Sequence, residues 1–217
     1  MDPLPELSAL AIDPERPLLI VDVDEVLGLF FSGFGRFLAS RGYELRLERY
    51  ALFQNIYAPG ASEHLDLESG RALFNDFFRV ACDEIELAPG AVESLSALAR
   101  DATIVALTNA PDHARAPRQR WMDRHGLAYP LLLNAGLKGP AVAQIAERTT
   151  GRVAFVDDLL VNLESVAEAA PAVRRFQMNA DPRLFALAPS VPDKHPNFGD
   201  WALLRPAVAE ALGFGSA

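Results

Sequence analysis

Cysteine is almost missing from this sequence, and its scarcity excludes two kinds of site. Cys82 is the only cysteine among 217 residues, so the chain can form neither an internal disulfide nor a cysteine-based zinc cage. The four histidines are scattered without the spacing of zinc ligands, and we expect each of them at the surface; they are His64, His113, His125 and His195. A zinc centre is therefore not expected.

Positive charge and long apolar runs are also scarce. Lysine and arginine number 20 against 29 acidic residues, which gives a formal net charge of -9. Such a field repels the phosphate backbones of nucleic acids and anionic lipid headgroups.

No apolar run approaches the ~20 residues of a membrane-spanning helix, and residues 1–17 lack the pattern of a signal sequence. We expect a cytoplasmic monomer or homodimer that binds neither nucleic acid nor membrane.

What the sequence does contain is a series of short apolar segments separated by helical patterns. Helical spacing is clear at Val92, Leu95 and Leu98 and again at Val142 and Ile145. This alternation predicts an α/β fold whose core is a Rossmann-like, three-layer parallel sheet. Ligands of such sheets bind outside the carboxyl ends of the strands. The predicted strands are residues 17–22, 103–108, 129–134, 152–157 and 173–178.

Residues 29–87 interrupt the alternation. They contain no convincing strand, and Phe74, Phe77, Phe78 and Ala81 follow helical spacing. We predict that they form an inserted α-helical cap domain, and that residues 1–28 and 88–217 form the core domain. We interpret the arginines of the insert as a solvated helix face; they are Arg36, Arg41, Arg46, Arg49, Arg71 and Arg79.

Acidic pairs follow two of the predicted strands. Asp22 and Asp24 are two positions apart, so both carboxylates project from the same face of an extended chain. Asp157 and Asp158 stand at the end of another apolar strand. Crowded carboxylates at a sheet edge require a raised pKa or a bound cation, although Asp-Val-Asp alone is equally typical of an exposed turn. Together the two pairs offer the oxygen ligands that Mg²⁺ prefers.

Two further polar positions lie at the same predicted edge. Thr108 and Asn109 close the strand of residues 103–108, where they could bind phosphoryl oxygens or cap a helix. Lys138 precedes Gly139 and Pro140, and proline suits the start of a helix. A lysine at that place is either solvated or directed into the site.

Taken in order, four segments resemble the four motifs of the haloacid dehalogenase superfamily. The resemblance runs over about residues 17–165 and rests on residues 22–26, 108–109, 138–140 and 155–158. The predicted insert resembles the first cap position of this family. Glu25 departs from the pattern, because most relatives have glycine there.

The resemblance implies a phosphatase mechanism. Asp22 would attack phosphorus and form an aspartyl-phosphate, which water then hydrolyses. Asp24 would protonate the leaving group and afterwards activate the water. Thr108 and Lys138 would bind the transferring phosphoryl oxygens, and Asn109 would orient the substrate.

The resemblance also implies the metal site and the reaction class. Mg²⁺ would be held by Asp22, the backbone carbonyl of Asp24 and the pair Asp157 and Asp158. Asp24 favours phosphoryl chemistry, because the dehalogenase branch lacks an acid at that position. We therefore predict hydrolysis of a small phosphorylated metabolite. A phosphomutase and a catalytically silent binding module remain as alternatives. Asn162 either steadies the acidic loop or is an ordinary polar residue of a helix.

Overall fold

The computed structural model of the chain describes residue 7 and residues 10–214. Along these residues the strands and helices are β1 (Leu18–Val21), α1 (Phe30–Ser40), β2 (Glu44–Leu45), β3 (Ile56–Tyr57), α2 (Leu67–Val80), α3 (Ala91–Leu98), β4 (Thr103–Asn109), α4 (Arg115–Arg124), β5 (Leu131–Asn134), α5 (Gly139–Ala146), β6 (Val153–Asp157), α6 (Leu160–Ala169), β7 (Arg174–Met178), α7 (Pro182–Phe185), β8 (Asn197–Phe198) and α8 (Trp201–Leu212).

The main sheet has six strands in the order β5-β4-β1-β6-β7-β8. All neighbours in it are parallel, and β1 lies between β4 and β6. The five predicted strands are confirmed. The edge strand β8 was not predicted, because two residues are too few to show a pattern.

Helices cover both faces of the sheet, which explains why β1 is apolar at every position. Leu19 and Val21 belong to one apolar cluster, together with residues of α3, α4 and α8. Leu18 and Ile20 belong to a second cluster on the opposite face, together with residues of α5 and α6. The predicted three-layer α/β fold is therefore confirmed.

The predicted helical faces pack as their spacing indicated. Leu95 and Leu98 of α3 and Val142 and Ile145 of α5 are buried. Helix α8 is capped by Asp200, whose carboxylate accepts a hydrogen bond from the backbone of Leu203 at 2.9 Å.

Residues 29–87 contribute no strand to the main sheet. They form α1, α2 and a small antiparallel sheet of β2 and β3, in which Leu45 pairs with Ile56. The expectation that this segment lacks strands is therefore wrong, because two-residue strands leave no periodicity in a sequence. Its standing as a separate cap domain stays a prediction. Residues 1–6, 8, 9 and 215–217, which we assigned to the core domain, lie outside the described residues.

The helices and the histidines bear on two of the expectations drawn from the sequence. Among the described residues, no helix is both long enough and apolar enough to cross a membrane. The expectation that every histidine lies at the surface is wrong for His195, which is fully buried. Its Nε2 atom lies 3.2 Å from Glu164 Oε1, which gives one of the two ring nitrogens a partner.

Candidate active site

The carboxyl ends of β1, β4 and β6 bring the predicted polar residues together. Asp22 directly follows β1, Asp157 ends β6, and the register pairs Val21 with Val156. Thr108 and Asn109 end β4. A cavity of about 200 Å³ lies at this edge. Its lining includes the predicted residues Asp22, Asp24, Thr108, Asn109, Lys138 and Asp158.

Lys138 is fully buried between two carboxylates. Its Nζ lies 2.8 Å from Asp22 Oδ1 and 2.7 Å from Asp157 Oδ2. Burial opposes the ammonium charge, but Asp157 and Asp22 outweigh it and raise the pKa of Lys138 above its ordinary value. The alternative of a solvated lysine is therefore excluded.

Gly139 explains how this lysine reaches the interior. A Cβ atom at Gly139 would lie 2.3 Å from the backbone oxygen of Ser165 in α6. The Gly139 N–H instead donates to Ser165 Oγ at 3.1 Å. The absence of a side chain lets α5 approach α6 closely, and this contact fixes the backbone that carries Lys138.

Asp22 is held in one orientation. Its Oδ1 accepts hydrogen bonds from the backbone N–H of Val23, at 2.7 Å, and from Lys138. Burial raises the pKa of Asp22 to about 7, against the lowering effect of Lys138. Because these contacts involve Oδ1 alone, Oδ2 is the oxygen left to face a substrate.

The acidic loop after β6 is organised by Asp157. Its Oδ1 accepts from the backbone N–H of Leu159 at 2.9 Å and from Asn162 Nδ2 at 3.0 Å. Asn162 therefore does steady this loop. The neighbouring Asp158 has a pKa well above its ordinary value, because it is buried beside Asp157 and Asp22.

The residues at this edge of the sheet fit a divalent metal ion. Carboxylate oxygens of Asp22, Asp157 and Asp158 all lie within 4.8 Å of one another. The cluster holds more carboxylates than cations, since Lys138 and Arg118 face four acids, namely Asp22, Asp24, Asp157 and Asp158. Uncompensated buried carboxylates are unfavourable, and a divalent cation that prefers oxygen ligands, such as Mg²⁺, would balance them.

Asp24 has a partner that the sequence did not reveal. Its carboxylate forms an ion pair with Arg118 of α4, whose side chain is fully buried. Arg118 also donates to the backbone oxygen of Cys82 at 3.2 Å and stacks over Phe78 at 5.0 Å. Burial raises the pKa of Asp24, while Arg118 acts against this. Nothing in the sequence separates Arg118 from the other arginines of its helix.

Thr108 and Asn109 differ in the groups that they offer. Thr108 Oγ1 is buried without a hydrogen-bond partner, as expected of a group that awaits a ligand. Asn109 is already engaged, since its Nδ2 donates to the Gly136 oxygen at 2.9 Å and its Oδ1 accepts from Asn134 at 2.8 Å.

Glu25 adopts a backbone conformation that glycine reaches most easily. Among the described residues it is the only non-glycine with positive φ, at 61°. Its Oε1 accepts from the backbone N–H of Phe31 at 2.7 Å, in the first turn of α1. Its Oε2 is buried without a partner, and burial raises the pKa of Glu25 to about 8.

Tyr50, between β2 and β3, extends from the insert to the acidic loop. Its hydroxyl lies 2.7 Å from Asp158 Oδ2 and 2.8 Å from Asn179 Oδ1. Neither residue is predictable from the sequence, because an isolated tyrosine or asparagine in a loop carries no motif.

The comparisons with known proteins agree with this architecture at the level of fold. No family model and no curated protein matches the chain. Among solved structures, a protein assigned as the HAD-hydrolase YfnB of Bacillus subtilis, bound to magnesium, is 15% identical with a TM-score of 0.59, and the match covers 93% of this chain and 100% of that one.

Two other solved structures match with similar coverage. One, from Thermotoga maritima, is assigned as a β-phosphoglucomutase; it is 16% identical, with a TM-score of 0.54 over 90% of this chain and 100% of that one. The other is the 2-haloacid dehalogenase of Pseudomonas syringae pv. tomato, 15% identical, with a TM-score of 0.50 over 90% and 99%. The chain therefore has the fold of the haloacid dehalogenase superfamily.

Proposed function

We propose that this protein is a Mg²⁺-dependent phosphatase that hydrolyses small phosphate monoesters through an aspartyl-phosphate on Asp22. One observation carries the proposal. The buried carboxylate of Asp22 is held by Lys138 at 2.8 Å, within an acidic cluster that has too few cations to balance it. A divalent ion bound there would offset the excess negative charge of the cluster and allow a phosphoryl group to approach Asp22.

Asp22 and Lys138 account for the first chemical step. Oδ2 of Asp22 attacks phosphorus, while Lys138 and the unpartnered hydroxyl of Thr108 bind the phosphoryl oxygens. Lys138 is already in place, because Asp157 holds it from the other side at 2.7 Å. Preorganised donors of this kind stabilise charge that develops in the transition state.

Asp24 supplies proton transfer in both steps. Burial raises its pKa, so the carboxyl group can hold the proton that the leaving alkoxide needs. The ionised group then accepts a proton from the attacking water. Arg118 acts as a positioning residue, because it fixes the carboxylate of Asp24 from a fully buried site.

The metal ligands that we propose are Asp22, the backbone carbonyl of Asp24, and Asp158. Both oxygens of Asp157 accept hydrogen bonds, so we assign it to holding Lys138 and the loop beside these ligands. When bound, Mg²⁺ supplies positive charge that allows an anionic phosphate to approach a carboxylate.

Hydrolysis is favoured over phosphoryl transfer between two positions of a sugar. A mutase has to hold a second phosphate group in its site, and cations suit that task. Lys138 is the only cationic side chain among the described residues that line the cavity, and two carboxylates already engage it.

The decisive experiment measures phosphate release from para-nitrophenyl phosphate and from short alkyl phosphates, with Mg²⁺ and with excess chelator. We expect Mg²⁺-dependent turnover that Asp22→Asn abolishes. The matched control is Asp193→Asn, which changes an exposed aspartate and should retain full activity. Acid quenching followed by mass spectrometry should find one phosphoryl group on the peptide that contains Asp22.

Two results would contradict the proposal. One is wild-type turnover in purified Asp22→Asn, which would remove Asp22 as nucleophile. The other is the absence of phosphate release from every ester in the presence of Mg²⁺, which would favour the binding module.

A further inference from the structure

The cavity has two chemically different halves. Residues outside the insert supply the carboxylates and Lys138, and the insert supplies an apolar wall beside the hydroxyl of Tyr50. The described residues that form this wall are Phe30, Phe31, Ala51, Leu52 and Phe74, together with Leu159 of the acidic loop. A substrate whose phosphoryl group meets Asp22 and Lys138 must place its alcohol part against this wall.

The arginines of the insert do not reach the cavity. Arg36 pairs with Glu86 at 2.9 Å, and Arg41 pairs with Asp76 at 2.9 Å. Arg46 pairs with Glu44 at 2.6 Å and stacks over the ring of Tyr57 at 4.3 Å. None of the six arginines is among the described lining residues. A second anionic group on the substrate would therefore find no cation of the insert to bind.

We infer that the alcohol part of the substrate is small, uncharged and mainly apolar, and that Phe31, Leu52 and Phe74 select it. This inference rests on the proposed phosphatase function. The volume supports the size limit, since about 200 Å³ is less than the ~300–1,000 Å³ of pockets for drug-sized ligands. Nucleotides exceed this size, and the hydroxyl groups of a hexose do not suit the apolar wall.

The charge of the alcohol part should discriminate between substrates more strongly than its size. A carboxylate on the alcohol part would lose its water against aromatic rings, and Lys138, the only cation among the described lining residues, is already engaged by two carboxylates. Leaving an unpaired charge in such a place costs several kcal/mol, which corresponds to a loss of at least about 100-fold in kcat/KM.

Three esters of equal shape separate charge from polarity. Isopentyl phosphate, phosphorylated β-hydroxypropionamide and phosphorylated β-hydroxypropionate have branched ends of the same size, which are apolar, polar but neutral, and anionic. With Mg²⁺ and wild-type protein, we expect kcat/KM to fall in that order, with at least about 100-fold between the first and the last.

A matched pair of lysine substitutions locates the selective wall. Leu52→Lys places a cation at the cavity and should raise kcat/KM for the carboxylate ester relative to the isopentyl ester by about 10-fold or more. Leu67→Lys makes the same change at a half-exposed position of the insert, outside the cavity. It should leave the ratio at the wild-type value.

The outcomes distinguish this inference from the proposed function. Equal turnover of the three esters by the wild-type protein would overturn the inference and leave the phosphatase function standing. An unchanged ratio in folded Leu52→Lys would overturn the assignment of Leu52 to the wall. Failure to hydrolyse any ester would overturn the phosphatase function, and the inference with it.

Discussion

Glu25 is an acid in a backbone conformation that glycine adopts most easily. Positive φ costs a residue with a Cβ atom roughly 1–2 kcal/mol. The carboxylate offsets this cost by accepting the N–H of Phe31, in the first turn of a helix whose N-cap residue provides no side-chain acceptor. Glutamate is tolerated at this position because its side chain caps α1, which glycine cannot do.

The first residue-scale prediction concerns the pH dependence of stability. The pKa of Glu25 is about 8 in the folded protein against an ordinary 4.5. The folded state therefore binds the extra proton between these values, and its contribution to stability is lost as pH rises through this window. Relative to Glu25→Gln, the wild-type free energy of unfolding should fall with pH by up to about 1.4 kcal/mol per unit.

Urea unfolding from pH 5 to pH 8, in the presence of chelator, measures this difference. Glu63→Gln, at an exposed position, is the control and should follow the wild-type curve. A Glu25→Gln curve parallel to wild type over the whole window would show that Glu25 ionises normally in the folded protein.

The second residue-scale prediction concerns Lys138. Lys138→Met should lower kcat by at least about 100-fold, because a preorganised donor to the phosphoryl group is lost. It should also reduce stability by about 3–5 kcal/mol without Mg²⁺, since Asp22 and Asp157 then lose their buried counterion. Added Mg²⁺ should restore part of that stability.

Thermal and urea unfolding with and without Mg²⁺ test the stability part. Lys194→Met is the matched control, since Lys194 pairs with Glu164 at a half-exposed site, where an ion pair contributes about 0–1 kcal/mol. Wild-type stability of Lys138→Met in chelator would contradict the view that Lys138 neutralises the acidic cluster.

At the scale of secondary structure, the close contact between α5 and α6 determines where Lys138 lies. Gly139→Ala places a methyl group 2.3 Å from the backbone oxygen of Ser165, which is too close for two non-bonded atoms. The helices must separate, which should cost about 1–3 kcal/mol and move Lys138 away from Asp22. Unfolding and kcat measurements should both show a loss.

Gly199→Ala is the control for this substitution. Its new Cβ would lie 3.5 Å from the ring of Phe185, an ordinary contact, and it should retain stability and activity. If Gly139→Ala behaves like Gly199→Ala, the packing of α5 on α6 does not position the lysine.

The sequence predicted the elements that bury apolar runs and missed those that depend on their neighbours. Strands β1, β4, β5, β6 and β7 were visible in the sequence as apolar segments. The acidic pairs follow two of them, β1 and β6. Arg118 and Tyr50 were not visible, because their partners, Asp24 and Asp158, lie far away in the chain. Contacts of this kind are formed by tertiary packing and leave no local pattern.

At the scale of the whole molecule, the insert and the sheet share one apolar cluster. Phe30, Phe34 and Phe77 of the insert belong to the same cluster as Val21 and Ala106 of the sheet. Calorimetry should therefore show a single unfolding transition, because neither part can lose its packing without exposing the other. Two separated transitions would indicate that residues 29–87 form an independently stable domain.

The central position of β1 has a consequence for folding during synthesis. Leu18 pairs with Thr103 on one side and with Val153 on the other, so the strand that carries Asp22 is made early and acquires its partners late. A ribosome-bound chain that ends before β6 has an open, apolar strand edge, which is prone to aggregation. Truncations before residue 157 should accumulate as insoluble protein, and slow refolding should reflect these long-range pairings.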